Sequence, residues 1–239
     1  MDQNKDNIKI LAIIPARSGS KRLAGKNIRI LGNKPLITWS IEVAKSITSI
    51  CDVLVSTDGS DIASVSQKAG ASVPWIRPDV LSTDTATSVD VVLHALNWYE
   101  GRNGKVDGVM LLQPTSPFRT AETINRGIEL FLAHERRPVL GISPAQSHPM
   151  WALKIANGIA IPFITDEGFR MRSQDLPPAY VVNGSFYLIT PDDLRIRKSF
   201  FWDDTVPLLI ESEEESIDID TEFDFIVAEA CINKAPNSA

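Results

Sequence analysis

A short apolar run that breaks off at a cluster of cations constrains this chain more than any other feature. Residues 10–14 are Ile, Leu, Ala, Ile and Ile, and Pro15-Ala-Arg-Ser-Gly-Ser-Lys-Arg-Leu-Ala-Gly-Lys-Asn27 follows. The apolar run predicts a buried strand, and the Gly, Ser and cationic residues behind it predict a loop of phosphate size. A strand that delivers such a loop points to the carboxyl edge of an open α/β sheet, where ligands bind. Arg17, Lys21, Arg22 and Lys26 place four cations within ten residues, in a 239-residue chain of formal net charge -6. That local reversal of sign would concentrate a polyanion such as a nucleoside triphosphate. For any single Lys, a solvated basic turn is the competing reading.

Neither common phosphate motif is present. A Walker A loop needs four residues between its glycines and a hydroxyl after its lysine, whereas five separate Gly19 from Gly25 and Asn27 follows Lys26. This disfavours a P-loop kinase. The dinucleotide G-x-G-x-x-G is missing as well.

The stretches that follow alternate. Apolar residues at helical spacing from Pro35 to Ile47 predict a first helix, and Asp52-Val-Leu-Val-Ser-Thr-Asp58 predicts a second parallel-type strand with a polar end. A helix is expected over 61–69 and a third short strand over 72–76. Further helices are expected over 89–99, with Ser88 or Asp84 as cap, and over 120–133. Strands are expected over 109–112 and 139–143. This alternation is that of a doubly wound parallel sheet. Beyond residue 143 the pattern loosens into a hairpin centred on Asn157-Gly158, a strong hairpin turn, before a last long apolar run from 179 to 190.

Composition removes several classes of function. A pI near 5.1, with 24 basic against 30 acidic residues, argues against nucleic acid or an anionic membrane as the main partner. Cys51 and Cys231 suggest no disulfide framework and are expected as buried apolar fillers. None of the three histidines, His94, His134 and His148, has metal-ligand spacing. Residues 1–7 lack the apolar core of a signal peptide, and no apolar run approaches a membrane span. A soluble, cytoplasmic protein is expected.

Two further stretches carry chemistry. Gln113-Pro-Thr-Ser-Pro ends a strand abruptly and leaves the Gln113 amide with the hydroxyls of Thr115 and Ser116, groups that suit a sugar. Arg119, just beyond, reads as a structural partner of the helix that follows it. In Ser216-Ile-Asp-Ile-Asp220 the carboxylates of Asp218 and Asp220 alternate with isoleucines, so on a strand both face one side. A carboxylate pair on one face suits Mg²⁺, held jointly with substrate phosphates. The competing role for Asp220 is to cap a helix over 222–231.

Taken together, the loop 14–27, the run Leu111-Leu-Gln-Pro-Thr-Ser-Pro-Phe-Arg-Thr120 and Ser216-Ile-Asp-Ile-Asp-Thr-Glu222 resemble, in order, the motifs of the CMP-sialic acid synthetases, the acylneuraminate cytidylyltransferases. The resemblance spans nearly the whole chain. It implies a Rossmann-like doubly wound, mostly parallel sheet with helices on both faces. The catalytic α/β unit would comprise 8–142 and 184–235, and a small β-rich dimerisation element would be inserted at 143–183. It implies CTP and a nine-carbon α-keto acid sugar as substrates, a homodimer, and no nucleic acid or membrane partner.

By the same resemblance, Ala16, Arg17, Ser18, Gly19, Lys26, Asn27, Arg77 and Ser88 would bind the nucleotide. Gln113, Thr115, Ser116, Lys154, Arg172, Asn183 and Tyr187 would meet the sugar, Lys154 and Arg172 from the excursion and in cis or in trans. Arg17 and Lys21 would act on the phosphates, and Asp218 and Asp220 would be both catalytic and metal-binding, with Mg²⁺ as cofactor. Sialic or legionaminic acid is favoured over pseudaminic acid by Asn183-Gly184, and over keto-deoxyoctonate by Gly25-Lys26-Asn27. A non-catalytic nucleotide-sugar binding module is the alternative outside this chemistry, although it would have no need for the carboxylate pair.

Overall fold

The structure, a computed structural model, describes residues 8–234. Residues 1–7, read above as leader-free, and residue 235 of the expected catalytic unit lie outside the described residues.

The opening run folds as expected into β1 (Ile10–Pro15), enclosed up to its last residue. A loop and a single 3-10 turn at Lys26–Ile28 lead to a small ribbon, β2 (Ile30–Leu31) and β3 (Lys34–Pro35), and then to α1 (Leu36–Lys45). β4 (Ile50–Ser56) and α2 (Ser60–Lys68) follow. The strand expected over 72–76 does not form. Only Ser72 bridges Leu54, because Pro74 has no N–H to continue a ladder and Trp75 turns away to pack on Trp98 and His94.

The cap expected at Ser88 or Asp84 lies elsewhere: α3 (Ser88–Asn103) starts one residue after Thr87, whose hydroxyl accepts the Asp90 N–H in a capping box. β5 (Gly108–Leu111), α4 (Ala121–Ala133), capped by Thr120, and β6 (Val139–Pro144) complete the regular alternation. The chain then leaves the sheet at 145 and returns at 180, slightly inside the expected limits of 143–183. This excursion contains the hairpin β7 (Leu153–Ala156) and β8 (Ile159–Pro162), joined by Asn157 and Gly158 at φ 52° and 77° as an Asn-Gly turn requires. β9 (Tyr180–Ile189), α5 (Pro191–Arg197), β10 (Val206–Leu209) and α6 (Glu222–Lys234) complete the chain.

The six-stranded sheet has the order β10-β6-β9-β5-β1-β4. β1 runs parallel to β4 and β5, and β10 parallel to β6, while β9 is antiparallel to both its neighbours. The period-2 alternation of β1 divides the core. Ile10, Ala12 and Ile14 meet Ile37 and Ile41 of α1 and Phe131 of α4 on one face. Leu11 and Ile13 meet Val92 and Leu96 of α3 on the other. The chain passes from β1 to β4 on one side and later to β5 on the other. The crevice beyond the carboxyl ends of β1 and β5 is therefore a topological switch point, the place where such sheets bind ligands.

Candidate active site

That crevice is an open cleft of about 530 Å³. Its floor comes from the strand ends, Pro15 of β1 and Gln113-Pro114-Thr115 after β5. The loop 16–27 forms one wall, the segment from Arg77 to Ser88 the second, and Asp218 and Asp220 the third. Five cations (Arg17, Lys21, Arg22, Lys26, Arg77) stand against three carboxylates (Asp84, Asp218, Asp220), a local charge of +2 on a chain of -6.

The loop is held from behind. Ala16 N–H donates to Ser56 O at 2.9 Å, Ser18 N–H to Asp58 at 2.7 Å, and the Asn27 amide to Arg17 O at 2.9 Å. Leu23 is buried beneath it in a small core with Leu31, Leu36, Ile219 and Phe225. With its backbone pinned, the loop turns its cations outward. Arg17 and Lys21 converge on Asp84 at 2.8 and 2.5 Å; Lys21 and then Arg17 hold the Asp84 carboxyl below the usual carboxylate range. Arg22 and Lys26 converge on Asp220 at 2.8 and 2.9 Å. Each pair of cations thus shares one carboxylate, a strongly basic surface held together by two anionic links.

Residues 217–220 are not a strand, yet both aspartates face the cleft. The anchor is Ile219: fully buried in the small core, it donates its N–H to Thr115 O at 2.8 Å, which turns its two neighbours outward. Loss of water around the Asp218 carboxyl in the cleft wall raises it above the usual carboxylate range; the hydrogen-bonded Thr115 hydroxyl draws it partly back and the neighbouring Asp220 adds to the rise. Asp220 does not cap α6. Thr221 and Asp224 do, Asp224 accepting from the N–H groups of Asp220 and Thr221 at 3.0 and 2.7 Å.

Of the sequence-predicted residues, Arg17, Lys21, Lys26, Asn27, Arg77, Ser88, Gln113, Thr115, Asp218 and Asp220 line the cleft together. Arg77 is buried and donates to Ser56 Oγ at 3.1 Å and to Ser56 O, so its guanidinium is part wall and part brace, and burial pushes its pKa down. The Ala16 side chain enters the core, and Ser18 and Gly19 contribute to the loop without lining the cleft.

Ser116 is fully buried, with its hydroxyl unpartnered below the floor. Asn183 turns inward and is buried. Tyr187 packs edge-on against Phe200 at 5.4 Å, and burial raises its phenol. Lys154 and Arg172 are exposed on the excursion, outside the cleft. Arg119 is structural, though not through α4: it donates to Ser185 O, to Ser40 Oγ at 3.1 Å and to Gln113 O at 3.1 Å, which ties β9, α1 and the cleft floor. Burial pushes its guanidinium down to about 9.

The cysteines are not buried fillers: Cys51 is exposed and Cys231 half-buried. No histidine lines the cleft.

Arg22 and Asp84 line the cleft without having been assigned to the site from sequence. Arg22 was legible only as one of the four clustered cations, and Asp84 only as a candidate helix cap. Among the described residues no three His, Cys, Asp or Glu side chains gather as a metal cage. A carboxylate pair beside a cationic loop nonetheless fits Mg²⁺, which takes one or two carboxylates and completes its shell with water and phosphate oxygens.

An open α/β sheet with a cationic loop and a carboxylate pair at its switch point is the arrangement a nucleotidyltransferase needs. Comparison with known proteins sharpens the class. Residues 11–140 match the family model described as Cytidylyltransferase. The chain is 41% identical over 228 residues to the CMP-N,N'-diacetyllegionaminic acid synthase of Legionella pneumophila, covering 93% of this chain and 95% of that one. It is 36% identical to the N-acylneuraminate cytidylyltransferase of Streptococcus agalactiae, over 92% of this chain but 52% of that longer protein. In fold it is similar to a CMP-2-keto-3-deoxy-manno-octonic acid synthetase solved with CTP (TM-score 0.69, 17% identity, 94% of this chain and 98% of that one). The chain belongs to the cytidylyltransferase family that contains the CMP-sialic acid synthetases.

Proposed function

We propose that this enzyme condenses CTP with a nine-carbon α-keto acid sugar of the legionaminic or N-acetylneuraminic type, giving the CMP-sugar and pyrophosphate. The observation that carries the reading is the cleft, with its paired cations on one wall and its carboxylate pair on another, in a chain 41% identical to a diacetyllegionaminic acid synthase. A pseudaminic acid cytidylyltransferase of Campylobacter jejuni is 33% identical over 77% of this chain, which supports that sugar less.

In the proposed reaction Arg17 and Lys21 exchange Asp84 for phosphate oxygens of the incoming triphosphate. Gln113 and Thr115 orient the sugar from the floor. Its anomeric hydroxyl oxygen attacks the α-phosphorus in line; the new P–O bond forms as the bond to pyrophosphate breaks. The protein contributes position and charge neutralisation rather than covalent chemistry. Asp218 and Asp220 would hold Mg²⁺, which supplies neutralisation of the α-phosphate and acidifies a hydroxyl near it.

The excursion supports a homodimer. Among the described residues, 11 of the 19 exposed large apolar side chains lie between Trp151 and Val182, among them Ile155, Ile159 and Phe163. A two-stranded hairpin with such a face is marginal in water unless covered. Lys154 and Arg172 would then approach a neighbouring subunit's cleft. No helix among the described residues is long and apolar enough to cross a membrane, in keeping with a cytoplasmic enzyme.

The test is pyrophosphate release from CTP with and without Mg²⁺, over legionaminic, N-acetylneuraminic, pseudaminic and keto-deoxyoctonic acids. Release with a legionaminic or neuraminic acid, abolished by chelation, is the expected result. Arg17→Ala is expected to lose about 10²–10³ in rate while keeping its fold. CTP binding without turnover on any acid would overturn the reading in favour of a binding module.

A further inference from the structure

β9 does not pair smoothly with β6. Leu140 faces Tyr187, but Ile142, two residues on, faces Val182, so five residues of β9 answer two of β6. The surplus is a bulge at 183–186, with Gly184 at φ 77°. Bulges beside active sites re-aim side chains, and this one turns Asn183 into the protein.

The Asn183 carboxamide is fixed there. Its Oδ1 accepts from Ser185 N–H at 3.0 Å and Ser185 Oγ at 2.8 Å, and its Nδ2 donates to Ser143 Oγ at 3.0 Å. A backbone N–H can only donate, so the oxygen must face Ser185 and the nitrogen Ser143. Ser143 Oγ in turn lies 2.7 Å from Ser216 Oγ and 2.9 Å from Ile210 O, and Ser216 Oγ lies 2.7 Å from Ser212 O. Ile210 O and Ser212 O can only accept, so two hydroxyl protons satisfy two of these three contacts at a time; the Asn183 amide, a donor that cannot rotate away, holds Ser143 Oγ as its acceptor and leaves the Ser143 proton for Ile210 O or Ser216 Oγ.

Every link beyond Ser143 belongs to 210–216, the segment that delivers Asp218 and Asp220 to the cleft. The same segment is clamped by Glu215 on Thr120 and Thr123 of the α4 cap, at 3.0–3.3 Å.

We propose that Asn183 is a positioning residue for the aspartate-bearing segment, acting through Ser143 and Ser216, and not a contact to the acid sugar. The proposal rests on the cytidylyltransferase reading above and assigns the Asn-Gly pair a structural task within it. The buried network stands between the sheet and the carboxylates as an outer shell does, and loss of such a partner typically costs about 10–100-fold.

The test compares Asn183→Ala, Ser216→Ala and Ser216→Thr in the full chain, by amide hydrogen exchange over residues 211–220 without substrate and by steady-state kinetics. Expected are faster exchange in that segment for both alanine variants, kcat lower by roughly tenfold, an unchanged sugar KM, and recovery in Ser216→Thr, which keeps the hydroxyl. A raised sugar KM with unchanged exchange in Asn183→Ala would make Asn183 a sugar contact and overturn the proposal, as would wild-type exchange and kcat in Ser216→Ala. Should Asn183→Ala fail to fold, the Ser216 pair decides alone. The exchange readout needs no turnover, so it stands apart from any failure of the proposed reaction.

Discussion

Replacing Gly127 with alanine tests the packing behind the cleft, because two opposing effects of known size meet there. Gly127 lies inside α4, where Gly→Ala ordinarily stabilises a helix by roughly 0.5–1 kcal/mol. Here a Cβ would stand 2.3 Å from Phe186 Cζ and 2.7 Å from both Cε atoms. The ring is fully buried in the core layer of α1 and α4, so it has no solvent into which to swing. Overpacking of this kind costs roughly 1–3 kcal/mol and exceeds the propensity gain, which leaves a net loss of about 1–2 kcal/mol. For a chain of this length that is a fall of roughly 2–8 °C in Tm. Phe186 belongs to the β9 bulge, so kcat is expected to fall as well. Urea unfolding followed by circular dichroism reads the first effect. A midpoint equal to or above wild type would show that α4 and β9 separate freely and would refute the packing argument.

Asp84→Asn removes the carboxylate that Arg17 and Lys21 share, so CTP no longer displaces an anion; a lower CTP KM is expected, and an unchanged or higher one would detach Asp84 from the nucleotide. Thr87→Ala is expected to cost about 1 kcal/mol in a urea midpoint, whereas Ser88→Ala leaves stability alone and affects nucleotide kinetics; the reverse pattern would reassign the cap. Arg119→Lys keeps the charge but not the fork that reaches three elements, and is expected to lose at least about 2 kcal/mol in denaturant titration; wild-type stability would count against the bracket.

Local chemistry made much of this legible in advance. The strand 10–14 and the loop behind it could be read because buried strands, glycine and clustered charge each leave marks within a few residues. Asp218 and Asp220 were read to the correct face for a partly wrong reason: alternation held, but a single buried Ile219 and its bond to Thr115 O enforce it, not a strand. What escaped the reading depends on residues far apart in sequence. That Asn183 points inward is decided by a register shift against β6, which no sequence window contains. Arg119 gave no sign that its acceptors lie on α1 and β9, and Asp84 looked like a cap because the nearest sequence offers no hint of its cations, Arg17 being 67 positions away. The missing strand at 72–76 was a local misjudgement, since Pro74 was visible.

The pairing of Arg22 and Lys26 with Asp220 joins positions 198 and 194 residues apart. At roughly 5–20 residues per second, a nascent chain carries its cationic loop for about 10–40 s before the carboxylate that balances two of those charges exists. The small core under the loop has the same dependence, because Ile219 and Phe225 complete it. The loop is thus synthesised long before Asp220, and until then Arg22 and Lys26 are two uncompensated cations open to any polyanion in reach. Truncation of the chain before residue 217 should therefore spare β1 and its neighbours while leaving Arg22 and Lys26 without their carboxylate, which makes solubility in the presence of polyanions a property that a residue 194 positions beyond Lys26 controls.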